Sequence, residues 1–309
     1  MVIDLKENTE IKEKFLIANM TRGVTNAGLS YLNIVFQDHT GQIEGRKWEI
    51  KDNDEEVFQI GNIVEIKAQV IKYRNVLQLK VGQGEIVKPE DIDIADYIAS
   101  APVSREVLQR KLFDYVNSIE NLEIKKVVES IVTQNILSLV IYPAASRNHH
   151  EYASGLIHHT VSMLDDANAL AKLYKNLNRS FLYAGIILHD IGKTIELSGP
   201  VLPKYTLEGK LIGHISIIQA LIKETCDKLE VSDEVATILQ HLVLSHHGKK
   251  EFGSPVLPQI LEAEVIYLID NLDSRINMIE KMLQSVNEGE FTQRAPFLED
   301  RSFYKPKIK

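Results

Sequence analysis

The hydrophobic pattern changes its period at Pro89, and one layer type cannot satisfy both halves. Before that proline, apolar residues alternate. Leu32, Ile34 and Phe36 fall on one face, Val64, Ile66, Ala68 and Val70 on a second, and Leu77, Leu79 and Val81 on a third. A period of two belongs to half-buried strands. Asp38-His39-Thr40-Gly41 and Gly61-Asn62 supply turn chemistry between them. About five short strands in roughly ninety residues suit a small barrel better than a sandwich. After Pro89 the spacing is helical, as in Leu112, Val116 and Ile119, then Leu156, Met163, Leu164, Ala167 and Leu170. Pro102, Pro143, Pro200, Pro203, Pro255 and Pro258 punctuate the helices. The expectation is a multidomain chain, all-β then all-α. It has a barrel over 1–89, a helical connector over 90–145 that packs on the next domain, a helical domain over 146–292, and a basic tail over 293–309 that is loosely ordered from Arg301 onward.

Composition narrows the function classes. With 309 residues and 44% hydrophobic content, two cores are affordable. A net charge of −8 argues against a generally basic nucleic-acid coat but not against a local cationic groove. The only cysteine, Cys226, forms no internal disulfide, which fits a reducing compartment. The N-terminus lacks a hydrophobic signal core and no apolar run is long enough to span a bilayer, so a cytoplasmic protein without a membrane partner is expected.

The helical half carries chemistry. His158-His159, His189-Asp190, His214, His246-His247 and Asp270 place imidazoles and carboxylates in series, the side chains that hold borderline divalent metals. Ser180–Leu188 reads as an apolar helix delivering His189 and Asp190 at its end, with Gly192 as the stop. Val243-Leu244-Ser245-His246-His247-Gly248 repeats the device. Adjacent residues on a continuous helix point about 100° apart, so two neighbouring ligands need a helix end. His214 sits early in a helix running to Leu229, and Asp270 lies inside the helix Leu261 to Met282. His158 and His159 cannot both face inward from one helix. Asp273 shares a face with Asp270 and either supports a ligand or makes a helix ion pair.

The segment Asn33–Ile43 with Trp48 and Phe58–Val64 resembles an OB-fold. The ordered series His159, His189-Asp190, His214, His246-His247, Asp270 resembles the HD-domain metal-dependent phosphohydrolases. With the barrel ahead of His149-His150-Glu151-Tyr152-Ala153-Ser154-Gly155-Leu156-Ile157-His158-His159-Thr160 and His189-Asp190-Ile191-Gly192-Lys193, the whole chain is similar to the YhaM-type 3′→5′ exoribonucleases. Ala153-Ser154-Gly155 is a local departure, since relatives tend to carry a second glycine there. The resemblance implies one ion among His159, His189, Asp190 and Asp270, and a second among His214, His246 and His247, bridged by Asp190. It implies manganese, with iron, cobalt or zinc compatible with the same donors. It also implies catalysis by Asp190 and Lys193, in which metal-activated hydroxide attacks phosphorus and Lys193 reaches a non-bridging oxygen.

The barrel's outer face suggests a strand platform. With Leu32, Ile34 and Phe36 inward, Tyr31 faces outward; Arg46 and Trp48 share a face, and Tyr73-Arg74 begin another strand. Aromatics interleaved with cations suit sequence-tolerant single-strand binding. Alternatively, Trp48 closes the barrel bottom and Tyr73 covers a strand edge. His149 and His150 either line a substrate channel or cap a turn. The expected function is metal-dependent 3′→5′ hydrolysis of single-stranded RNA, with single-stranded DNA and a homo-oligomer both open. The alternatives are an HD phosphodiesterase acting on a small nucleotide, and a non-catalytic nucleic-acid-binding regulator.

Overall fold

Alternating residues in the first part of the chain close five strands on themselves. The computed structural model describes residues 1–25, 28–74, 76–93, 96–98, 101–145, 150 and 152–308. It divides the chain into two compact units, Met1–Ser100 and Ala101–Lys309.

The first unit contains β1 (Glu10–Val24), β2 (Ser30–Asp38), β3 (Gly41–Trp48), a one-turn helix α1 (Asp54–Val57), β4 (Ile63–Tyr73) and β5 (Val76–Ile86). They form a closed barrel in the order β1-β2-β3-β5-β4. All pairs are antiparallel except β3 with β5. A register shift between Ile17 and Asn19 bends the long strand β1, which pairs with β4 through its first half and with β2 through its second. The inward set is the alternating one: Leu32, Ile34 and Phe36 from β2, Val64, Ile66, Ala68 and Val70 from β4, Leu79 and Val81 from β5. Phe36 is central, with its ring edge-on to Phe15 and Phe58.

The second unit holds α2 (Arg105–Asn117), α3 (Leu122–Leu139), α4 (Gly155–Leu173), α5 (Arg179–Leu188), α6 (Lys193–Glu196), α7 (Leu207–Leu211), α8 (His214–Lys228), α9 (Asp233–Ser245) and α10 (Leu261–Gln284). Helices α2 and α3 contribute Leu108, Leu112, Val116, Val128 and Ile131 to the same core as the later helices. The α5 sequence is apolar on every side, and Leu182 through Leu188 are all buried. A helix without a polar face belongs at the centre, and α5 packs against α3, α4, α9 and α10. Its C-terminal end therefore opens inside the unit. Asn178 starts it, with its side chain accepting from the amides of Ser180 and Phe181.

The segment Phe291–Tyr304 folds back on itself, which corrects the expectation of looseness from Arg301 to Tyr304. Phe291 pairs with Tyr304 and Ala295 with Arg301, and both guanidinium nitrogens of Arg275 on α10 donate to Glu299. A bidentate ion pair and an aromatic contact at 5.1 Å pin a hairpin that the basic composition conceals. Among the described residues, no helix is long and apolar enough to cross a membrane.

Candidate metal centre

Five segments converge where α5 ends. His189 caps α5 and Asp190 follows it. Bonds from Ile191 N to Leu188 O and from Lys193 N to Asp190 O tighten the winding here, so consecutive side chains can address one centre. Gly192 lies just past the end of α5, as its reading as the stop expects, and has an ordinary helical φ of −55°. A Cβ at Gly192 would collide with the backbone carbonyl of His214. The glycine is there so that the start of α8 can approach.

Asp190 divides the cluster. Its Oδ2 lies 3.2 Å from His189 Nε2 and 4.0 Å from His159 Nε2, and His159 Nε2 lies 3.2 Å from Asp270 Oδ1. Its Oδ1 lies 3.5 Å from His214 Nε2 and 3.9 Å from His246 Nε2. His247 completes that side, stacked edge-on to His246 at 4.2 Å, and its ligand nitrogen groups with those of His214 and His246 within 4.8 Å. The structure thus brings together all seven residues expected to hold metal, in two sets that share one carboxylate.

The histidines are aimed. In each of the five, Nδ1 meets an oxygen: Asp273 Oδ2 for His159 at 2.6 Å, Ile186 O for His189, Val243 O for His246, Phe252 O for His247, and Glu196 Oε1 for His214 at 3.0 Å. Such bonds fix the tautomer and leave Nε2 as the ligand atom. Inside the site, the Nε2 atoms of His189, His214 and His246 and Oδ1 of Asp190 are buried without a hydrogen-bond partner. Each such orphan costs about 1–3 kcal/mol, and a cation among them would satisfy all four. Imidazoles plus carboxylates are a donor set for borderline divalent ions, so the residues fit a metal.

Electrostatics agree. Burial alone would raise the carboxyl of Asp190, but His189 and Lys193 beside it hold it well below the usual range. Asp270 behaves alike, burial being outweighed by its bond to His159. His159, against burial, is raised to about 10 by Asp270 and Asp273. His246 is held well below its ordinary value by burial and by His247 and His189.

Glu196 and Asp273 each hold the ring of a histidine in the cluster, His214 and His159 respectively. Glu196 accepts from both the backbone and the ring of His214. Its spacing of three after Lys193, on the short helix that opens with that lysine, was the available signal. Lys193 is buried, with Nζ 2.6 Å from Asp190 Oδ2. It also lines, with Asp190, His247, Phe252, Tyr267 and Asp270, a cavity of about 200 Å³. His158 turns away, as the geometry of one helix requires, and its Nδ1 lies 2.6 Å from the Tyr152 hydroxyl.

The structure also assembles the barrel residues. Tyr31 and Trp48 pair across β2 and β3 with ring centroids 4.8 Å apart. The Arg46 guanidinium lies over Tyr31, Trp48 and Tyr73 at 5.7–5.9 Å, and Arg74 over Tyr73. Trp48 is 38% exposed, so it does not close the barrel, and Tyr73 is 46% exposed. Buried Lys47 reaches Asp54 and the carbonyls of Trp48 and Glu49, which holds the chain beside the platform. His150 is not part of a strand-binding surface. It is 3% exposed in the helical unit, with both ring nitrogens engaged by Asp273 and Tyr152, so no base can reach it. His149 lies outside the described residues.

Residues 156–275 match the HD domain family. A 3′-5′ exoribonuclease YhaM of Geobacillus sp. (strain WCH70) is 42% identical over 306 residues, covering 99% of this chain and 94% of the relative. Among solved structures, a replication protein A heterotrimer bound to ssDNA aligns at 20% identity and TM-score 0.23, covering 26% of this chain and 60% of that one. The second OB-fold domain of replication protein A from Methanococcus maripaludis aligns at 18% identity and TM-score 0.22, covering 28% and 93%.

Proposed function

The chain belongs to the YhaM family of 3′-5′ exoribonucleases, and from that premise we propose that it removes nucleotides from the 3′ end of single-stranded RNA with two divalent ions, manganese first among them. The observation that carries this reading is Asp190, whose two oxygens face two different sets of imidazoles. A shared carboxylate suits ions roughly 3.5–4 Å apart. His159, His189 and Asp270 would hold one, and His214, His246 and His247 the other.

Bound there, such ions supply an acidified water and neutralise charge on phosphate oxygens. The chain does the rest. Lys193 stands on the cavity wall beside Asp190 and meets the charge that builds on the scissile phosphate. Phe252 and Tyr267 flank the same cavity and offer faces to a terminal base. On the barrel, Tyr31, Trp48 and Tyr73 stack bases while Arg46 and Arg74 hold phosphates. The platform tolerates single-stranded DNA as well, because its contacts read ring faces and charge. The buried, unpaired Cys226 suits a cytoplasmic site of action.

A strand platform favours a polymeric substrate over a small nucleotide. The test is digestion of 5′-labelled single-stranded RNA with manganese. A ladder of progressively shorter labelled products is expected. Immediate release of labelled mononucleotide, or turnover of mononucleotides alone, would overturn the proposal.

A further inference from the structure

Behind His159 runs a buried chain of polar groups that ligand duty does not require. Asp273 Oδ2 accepts from His159 Nδ1 at 2.6 Å and from His150 Nε2 at 2.8 Å. His150 Nδ1 lies 2.6 Å from the Tyr152 hydroxyl, and that hydroxyl lies 2.6 Å from His158 Nδ1. With Asp273 ionised and His150 neutral, hydrogen placement has one consistent solution. Both imidazoles donate to its carboxylate, so His150 presents a bare Nδ1. Tyr152 then donates to His150 and accepts from His158.

The backbone is arranged for His150 in particular. It stands at φ +45°, a left-handed conformation uncommon for a side-chain-bearing residue. Its carbonyl accepts from the amide of Ala144, and its amide donates to Asn277 on α10. A Cβ on Gly155 would strike that same carbonyl. Strain held in place by three separate neighbours invites a functional account. The two halves of the metal centre also differ here. His189, His246 and His247 are aimed by backbone carbonyls and His214 by the carboxylate of Glu196. Among the described residues, only His159 is aimed by a carboxylate that also accepts from a further histidine.

Resting on the two-ion reading above, we propose that His150 is a positioning residue for one ion only. Through Asp273 it fixes the ring of His159, and it thereby sets the affinity of the His159–His189–Asp270 side without affecting the His214–His246–His247 side. Outer partners of metal-bound histidines typically change affinity by about 10–100-fold when removed.

The competing account is that His150, His159 and Asp273, whose ligand atoms lie within 4.8 Å of one another, themselves take an ion. Calorimetric titration of the full-length, EDTA-stripped protein with Mn²⁺ separates the two. His150→Leu removes the donor, and His150→Gln restores a donor toward Asp273. Tyr152→Phe keeps the ring and removes only the hydroxyl, in case the leucine variant fails to fold. The expected result is two ions per chain throughout. In His150→Leu and Tyr152→Phe one of them should bind more weakly, by about 10–100-fold and by a smaller factor respectively, and His150→Gln should recover most of the loss. Unchanged affinity for both ions, equal weakening of both, or loss of a third ion from wild type would each overturn the proposal. Digestion of labelled RNA by wild type is scored separately, so failure of the nuclease reading is told apart from failure of the positioning role.

Discussion

Replacing Lys193 by methionine removes the ammonium that lies 2.6 Å from Asp190 Oδ2, in a pair whose side chains are 11% and 3% exposed. Breaking a buried pair from one side costs about 3–5 kcal/mol, because the remaining charge is stranded. The lower end applies here. His189 Nε2 still stands 3.2 Å from the same oxygen, and His159, protonated in the absence of metal, stands 4.0 Å away. In a unit of about two hundred residues, each kcal/mol moves Tm by about 2–4 °C. Lys193→Met should therefore melt about 6–12 °C below wild type in EDTA. With manganese bound, the ions carry the positive charge that Asp190 needs, and the gap should close to about 2–4 °C, the share left for packing. Activity should not recover with it. Loss of a donor aimed at the transition state costs about 2.7–4 kcal/mol of barrier, or about a hundredfold or more in kcat. The assay is calorimetric melting of both proteins with EDTA and with manganese, beside single-turnover RNA hydrolysis. An equal drop in Tm under both conditions, with near-normal kcat, would refute the reasoning and leave Lys193 as plain support.

Other outcomes follow from the same geometry. Trp48→Ala and Arg46→Ala should each weaken single-stranded RNA binding, by about 1–3 kcal/mol for the lost stacking face, and only the arginine variant should flatten the salt dependence; an unchanged Kd in filter binding would remove the platform. His159 is raised to about 10 in the metal-free protein, so its stabilisation is full below about pH 6.5, the unfolded value, and is lost as pH rises toward 10. Denaturant titrations in EDTA should show that decline, and manganese should reverse it because ions need the deprotonated ring. Ser154 sits at φ +62° with its hydroxyl donating to Val140 O. Ser154→Gly should be near neutral, relief of about 1–2 kcal/mol offsetting the lost bond, whereas Ser154→Ala should melt lower because it keeps the strain and loses the bond; equal Tm values for the two would contradict this.

Much of the site was legible because ligand chemistry leaves few choices. His189 and Asp190 at the end of an all-apolar helix could only open into the interior, and the structure puts them there. Strand alternation likewise located the inward faces of β2, β4 and β5. What was hidden depends on partners far apart in sequence. The partners of Asp273 are His150 and His159, more than a hundred residues upstream, so the helix face it shares with Asp270 leaves open whether it supports a ligand or makes an ion pair on α10. His150 sits in a polar run that reads as a loop, yet tertiary contacts to Asn277 and Asp273 bury it. Gly192 looked like a helix terminator, and only the path of α8 reveals the clearance it provides. The C-terminal hairpin is held by Arg275 on another element, so its basic composition alone suggested a loose tail.

The central claim is that one carboxylate divides two ions. Anomalous diffraction from manganese-loaded crystals tests it most directly. Two peaks are predicted, roughly 3.5–4 Å apart, one within ligand distance of His159, His189 and Asp270 and the other of His214, His246 and His247, with Asp190 touching both. A single peak, or two peaks with Asp190 bound to only one of them and Lys193 still on its other oxygen, would contradict it.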